Sequence, residues 1–189
     1  KLADNGDVEA MYKFGITTSN VSQKVQYIKM AANKGHVEAC FHYGYMLDVG
    51  ENVPASKRKA AFYYKMAADK GYEKAMYNYA ICLENGTGNA DDQKEAAKYY
   101  KMAADKGYAK GMNSYGVCLE KGEGVPENKA EAAKYYKMSA DKGYEFAMYN
   151  YAVCLDDGIG VPVNKAEAVK YYKMAADKGY EKAMYNYAV

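Results

Sequence analysis

A seven-residue phrase, KMAADKG or a close variant, places its methionine at 30, 66, 102, 138 and 174, a constant interval of 36 residues. Tyr63–Tyr72, Tyr99–Tyr108 and Tyr171–Tyr180 are identical, and Tyr135–Tyr144 differs only at Ser139. Glu73–Ala80 returns as Glu181–Ala188. A chain of this kind is a stack of copies, none of which buries its apolar face alone. The 189 residues hold a little more than five copies, so the core is set by each interface between neighbours and not by total length.

Each copy carries two helical patterns. The first, roughly Tyr72 to Asn85, spaces Ala75, Met76, Tyr79, Ala80 and Leu83 along one apolar stripe, and Gly86 stops it. The second, roughly Asp92 to Lys106, puts Ala96, Ala97, Tyr100, Ala103 and Ala104 on one face and ends at Gly107. Small alanines allow close helix approach, and Tyr and Met fill the space that remains. Pro is scarce, at 3, which favours helix throughout. Glycine-rich connectors join the helices: Gly86-Thr87-Gly88, Gly122-Glu123-Gly124-Val125-Pro126 and Gly158-Ile159-Gly160-Val161-Pro162, with Gly50-Glu51-Asn52-Val53-Pro54 as the variant in the second copy. A dinucleotide-binding fingerprint needs a preceding strand and a third glycine, so these glycines read as helix terminators. In the first copy the path from Gly15 to the Met30 slot is seven residues shorter than from Gly44 to Met66, so Thr17–Ser22 must turn the chain tightly.

Composition excludes several functions. The net charge of +2 argues against nucleic acid or an anionic membrane surface as the main partner. No apolar run is long enough to span a membrane, so no membrane insertion is expected. Only two His are present, and no Ser-His-Asp or Cys-His arrangement follows from spacing; no catalytic residue and no cofactor is assigned. His36 and Cys40 stand at i, i+4, but their counterparts Tyr72 and Met76 are packing slots and no further ligand recurs, so no metal site is assigned either. Cys82, Cys118 and Cys154 share one slot, and packed helices lie about 10 Å apart, beyond the roughly 7 Å Cα limit for a disulfide. Free thiols, and with them a reducing, cytoplasmic location, are the expectation. On the second helices Glu131 with Lys134 and Lys137 with Asp141 are expected as exposed ion pairs.

Tyr108–Pro126, followed by Lys129-Ala130-Glu131-Ala132-Ala133-Lys134-Tyr135-Tyr136, resembles a Sel1-like repeat, a relative of the tetratricopeptide repeat, and the resemblance extends along essentially the whole chain. The first copy lacks the connector, and the third has Asn89-Ala90 where Val-Pro is usual. The resemblance implies an all-α fold, a right-handed α-solenoid of antiparallel helix pairs, as one array over residues 1–189. Repeats start near 7, 36, 72, 108 and 144, with residues 1–6 as the end of a preceding repeat and 180–189 as a partial one. With no polar capping repeat at either end, the expectation is a piece of a longer array.

The resemblance further implies a non-catalytic adaptor whose first helices line a concave groove. Tyr79, Tyr115, Tyr151 and Tyr187 fall in its core slot, and Tyr100, Tyr136 and Tyr172 on the buried stripe of the second helix. Tyr12, Tyr77, Tyr149 and Tyr185 then point into the groove, with Phe41 and Asn113 in the same slot of other copies and Asn78, Asn150, Asn186, His42 and Ser114 beside them. Rigid rings and amides of this kind suit a bound peptide or helix of a partner protein. Asp48, Glu84, Glu120 and Asp156 would add a negative rim. Two alternatives stand beside this: end-to-end self-association through open solenoid ends, and a regulatory array attached to an effector domain elsewhere. The opposing structural reading is that the groove side chains only pack against the neighbouring copy.

Overall fold

The computed structural model describes residues 6–86 and 90–188, residues 187 and 188 by backbone alone. The expected helix tail over residues 1–5, the connector residues 87–89 and the Tyr187 side chain lie outside them. The described residues form eleven helices and no strand, in two compact bodies, Lys1–Gly86 and Thr87–Val189. The first body holds α1 (Val8–Thr17), α2 (Val21–Asn33), α3 (Val37–Val49), α4 (Lys57–Ala68) and α5 (Glu73–Glu84). The second holds α6 (Ala90–Asp105), α7 (Ala109–Lys121), α8 (Lys129–Asp141), α9 (Glu145–Asp157), α10 (Lys165–Asp177) and α11 (Glu181–Ala188). Within each body every helix packs against its neighbours in the chain. The odd-numbered helices are the first helices of the repeats and the even-numbered ones the second.

Side chains at the helix starts do what their sequence positions ask. Asp7, Asn20, Ser56, Asn128 and Asn164 each accept a hydrogen bond from the backbone N–H three residues on. Asn128 and Asn164 also donate from Nδ2 to Glu131 and Glu167, at 3.2 and 3.0 Å. Glu131 is therefore engaged with its helix cap and not with Lys134, because the cap lies on its own side of the first turn. Lys137 and Asp141 do pair, at 3.0 Å, as do Lys65–Asp69, Lys101–Asp105 and Lys173–Asp177. Such exposed i, i+4 pairs add little individually.

The tyrosines build the interior. The first-helix residues Tyr43, Tyr115 and Tyr151 meet the second-helix residues Tyr63, Tyr135 and Tyr171 edge to face, each pair with centroids 4.9 Å apart. Repeat one keeps this pair as Phe14–Tyr27 at 4.7 Å. Tyr64, Tyr100, Tyr136 and Tyr172 are buried on the other side of the second helices, as expected, and Tyr79, Tyr115 and Tyr151 are buried too. Alanines close the helix contacts: Ala140, Ala147, Met148, Ala175 and Ala183 form one buried cluster across α8 to α11.

Gly50, Gly122 and Gly158 end α3, α7 and α9 in the left-handed conformation expected of terminators, whereas α5 ends on a right-handed Asn85 and Gly86 stays outside the left-handed region. The second connector glycine has a further reason to be glycine. At Gly160, φ is +71° and an added Cβ would stand 2.2 Å from the Lys129 carbonyl oxygen; at Gly124 it would stand 2.2 Å from that of Gln93. Each connector thus lies directly on the backbone at the start of the preceding second helix. In repeat one, Thr18-Ser19-Asn20 alone separates α1 from α2, and Asn20 caps the second helix while it makes the turn.

Gly160→Ala should cost about 3 kcal/mol, from a left-handed backbone and a backbone clash together. Gly179→Ala, equally left-handed at φ +88° but with nothing within 4 Å of the added methyl, should cost about 1 kcal/mol. Urea-unfolding midpoints of the two variants against the parent chain measure the difference.

Candidate functional site

The residues expected in the groove lie on α1, α3 and α5 of the first body and on α7, α9 and α11 of the second. Within each body one pair of them bridges successive first helices. Tyr12 Oη lies 3.1 Å from His42 Nδ1, and Asn150 Nδ2 donates to Asn113 Oδ1 at 2.9 Å. In both cases the aromatic-slot residue of one repeat meets the amide-slot residue of the next. An amide side chain has four hydrogen-bonding capacities, and this bond uses one on each partner.

The rings are set between repeats. Tyr12 stacks against His36 at 4.5 Å and His42 at 5.6 Å. Phe41 packs on Tyr72 at 5.1 Å and Tyr64 at 5.8 Å, and Tyr149 on Tyr180 at 5.2 Å and Tyr172 at 5.7 Å. Tyr12, Phe41, Tyr77, Asn78, Asn113, Ser114, Tyr149, Asn150 and Asn186 are all half-buried; His42 is more open, and Tyr185 is 74% exposed. Tyr12, Phe41 and Tyr149 therefore pack against rings of the neighbouring repeat and still present an edge to solvent.

His36 and Cys40 do not share a task. His36 Nδ1 accepts from the Ala39 N–H at the start of α3, and its Nε2 lies 2.9 Å from Glu9. Hydrogen bonds from His36 and Lys13 hold the Glu9 carboxyl below the usual carboxylate range. Cys40 Sγ instead donates to the Ala32 carbonyl at 3.3 Å. All four cysteines are free thiols, and burial pushes Cys82 up to about 11 and Cys154 up to about 12, so both stay protonated and unreactive at neutral pH. Among the described residues no three His, Cys, Asp or Glu side chains gather in a metal-binding group, and no helix is long and apolar enough to cross a membrane.

The expected negative rim is largely compensated. Asp48 pairs with Lys57 at 2.7 Å, and Asp156 with Lys165 at 3.7 Å. Glu120 accepts a 2.5 Å hydrogen bond from the buried Tyr136 hydroxyl, and burial with this carboxylate beside it raises the phenol far above its ordinary value. The equivalent Tyr64 hydroxyl is enclosed with no hydrogen-bond partner, the Asn78 amide being its polar neighbour.

Two clefts touch the predicted residues. A cleft of about 480 Å³ is lined by Asp156, Lys165, Val169, Tyr172, Tyr185 and Asn186. Another, of about 270 Å³, involves His42 together with Ile16, Ile28, Tyr45 and Met46. Sequence reasoning passed over Ile28 and Met46. The available signal was Ile28 in the slot that holds tyrosine in the next four repeats.

Two substitutions separate the tyrosine hydroxyls. Tyr136→Phe leaves Glu120 without its donor and should lower stability by about 2 kcal/mol, whereas Tyr64→Phe removes an unpartnered hydroxyl and should be neutral or stabilising. Thermal unfolding of both variants checks this.

A pH dependence follows from His42. Its inner side packs on Tyr12, and burial lowers its imidazole below the ordinary value, while Glu38 and Glu51 oppose the shift and Lys24 adds to it. The neutral ring protonated at Nε2 accepts from the Tyr12 hydroxyl. Because the folded value is the lower one, this contribution is complete above about pH 6.5, where the unfolded imidazole is neutral, and is lost as pH falls through the folded value. His42→Asn, which installs the side chain of later repeats, should flatten the loss between neutral and mildly acidic pH. Unfolding midpoints of parent and variant at the two pH values make the comparison.

The comparisons with known proteins converge. The family model described as Sel1 repeat matches residues 37–72, 73–108, 109–144 and 146–180. The structure is similar to that of a protective antigen of uropathogenic Escherichia coli with an SLR fold, at 27% identity and TM-score 0.90, over 98% of this chain and 41% of that one. It is similar to a Sel1 repeat protein from Oxalobacter formigenes at 26% identity and TM-score 0.88, over 96% of this chain and 75% of that one. The likeness to Helicobacter pylori cysteine rich protein B, at 22% identity, TM-score 0.55 and 68% against 92% coverage, concerns the fold alone. No curated protein sequence matches the chain.

Proposed function

This chain belongs to the Sel1 repeat family, and we propose that it is a non-catalytic protein-interaction module that holds a peptide or an extended partner segment against the first helices of its repeats. Sel1 repeats are generally protein-interaction modules. The observation that carries the reading here is the cross-repeat row itself. Tyr12–His42 and Asn113–Asn150 lock neighbouring first helices, which fixes the rings and amides in place before any partner arrives. Side chains already ordered cost a partner less conformational entropy on binding. The half-buried rings offer rigid apolar edges, and the amides keep unfilled donors and acceptors suited to a peptide backbone.

Because Asp48, Glu120 and Asp156 are engaged within the chain, recognition rests on rings and amides more than on net charge. The same reading puts the chain in the cytoplasm, supported by four unbridged cysteines.

The experiment is a peptide-display selection on the parent chain, followed by Phe41→Ala, Tyr77→Ala, Asn78→Ala, Tyr149→Ala and Asn150→Ala one at a time. The aromatic changes should each weaken a selected peptide about tenfold or more while far-UV circular dichroism stays that of the parent. Peptides whose affinity survives all five changes would rule out the groove.

A further inference from the structure

The later repeats provide a template against which the first can be read. At one slot of the second helix, repeats two to five bury a tyrosine: Tyr64, Tyr100, Tyr136 and Tyr172. Repeat one carries Ile28 there, 36 residues before Tyr64. Ile28 keeps the base of the slot, since its Cγ1 lies where a Cβ on Gly15 would meet it at 2.8 Å, just as the Tyr64 ring would meet a Cβ on Gly44 at 2.9 Å. Beyond that base the ring is missing. The shortened α1 removes more, because Thr17 and Thr18 stand where repeat two has the buried Met46 and Leu47.

What remains is the cleft of about 270 Å³ walled by Ile16, Ile28, Tyr45 and Met46, with Lys24, His42 and the Glu51 carboxylate as its polar groups. An aliphatic cavity of about 150 Å³ is enough to take up benzene. The space at Ile28 is thus large enough for a ring, and the repeat architecture has the shape of a hydroxyphenyl ring built into it.

The polar end of the slot points the same way. The Asn78 and Asn186 amides, in the amide slot of the following repeat, are the polar neighbours of the Tyr64 and Tyr172 hydroxyls, although the Tyr64 hydroxyl makes no hydrogen bond. His42 is the residue that takes this position over Ile28. In the tautomer whose Nδ1 accepts from the Tyr12 hydroxyl, Nε2–H is the donor left for a phenolic oxygen. We propose that this cleft takes the side chain of a tyrosine in the bound peptide, completing from outside the packing that repeats two to five complete from within. The proposal rests on the groove reading and adds to it a location and a residue preference.

The probe is 4-methylphenol, the tyrosine side chain, titrated into the full chain while the Ile and Met methyl resonances are followed by NMR. The expected result is saturable shifts at Ile28 and Met46 with ring-to-methyl nuclear Overhauser effects. Toluene should bind about fivefold more weakly, for want of the hydroxyl's hydrogen bond. Ile28→Tyr, which installs the ring of later repeats, should abolish the effect. Absence of saturable shifts up to the solubility of the phenol overturns the proposal, and so does equal binding of toluene. If Ile28→Tyr fails to fold, the Overhauser contacts in the parent chain decide the matter alone. Peptides that require Tyr149 and Asn150 but contain no needed tyrosine and ignore Ile28→Tyr would sink this inference and leave the groove intact. A phenol that binds at Ile28 while no displayed peptide binds anywhere would leave a ring-binding cleft but overturn the groove reading and, with it, the assignment of the ring to a peptide tyrosine.

Discussion

Tyr64 and Tyr136 press against the first helix of their own repeat so closely that Gly44 and Gly116 leave no room for a side chain: a Cβ would lie 2.9 and 2.7 Å from the ring. This insertion of a second-helix tyrosine against a small first-helix residue fixes the spacing of the pair. The first helix is then free to present its other residues to the next repeat. The edge-to-face pairs at 4.9 Å, the alanine-lined contacts between helices and the Tyr12–His42 and Asn113–Asn150 bridges all require that spacing. An interior built from Tyr and Ala instead of Leu and Phe follows from the same cause. A flat ring and a methyl group allow close backbones, and the phenol oxygen reaches out to Glu120 or to an amide of the following repeat.

The connector depends on this spacing as well. Gly124 and Gly160 lie on the carbonyls of Gln93 and Lys129 only because successive second helices stand at a fixed distance. Repeat two does without that glycine, since Asn52 takes the left-handed conformation in its place, at φ +59°. Asparagine is the side chain that tolerates this region best.

Much of this was legible in the residues. The 36-residue period is visible as repetition, and most of the glycine stops and the buried face of each helix follow from spacing, because each depends on residues within one or two turns of one another. The pairings of the groove residues were not legible. That Tyr136 would reach Glu120, turning an expected rim acid into a structural partner, depends on which rotamer a buried ring adopts, and no periodicity encodes that. The bond between Asn113 and Asn150 joins residues 37 apart, one more than the period, so it links two different slots of neighbouring repeats. A comparison of like with like cannot find it. Glu131 shows the same limit on a smaller scale: two partners lay within reach along the helix, Asn128 and Lys134, and the geometry of the cap selects Asn128.

Near-identical repeats carry little information about where a partner binds, because a residue kept in every copy is accounted for by packing. Departures from the pattern are more informative, and they gather in the first body. Repeat one has the short turn, Ile28 in the tyrosine slot and Lys13 in the amide slot, while repeat two has His36 at the cap and His42 in the amide slot. Three of these departures are compensated locally: Asn20 makes the turn, His36 caps α3, and His42 holds Tyr12. At Ile28 the tyrosine ring of the later repeats is absent, and among the described residues a cleft borders the position. The first body therefore differs from the later repeats most at the position where the tyrosine is absent, and that position borders a cleft.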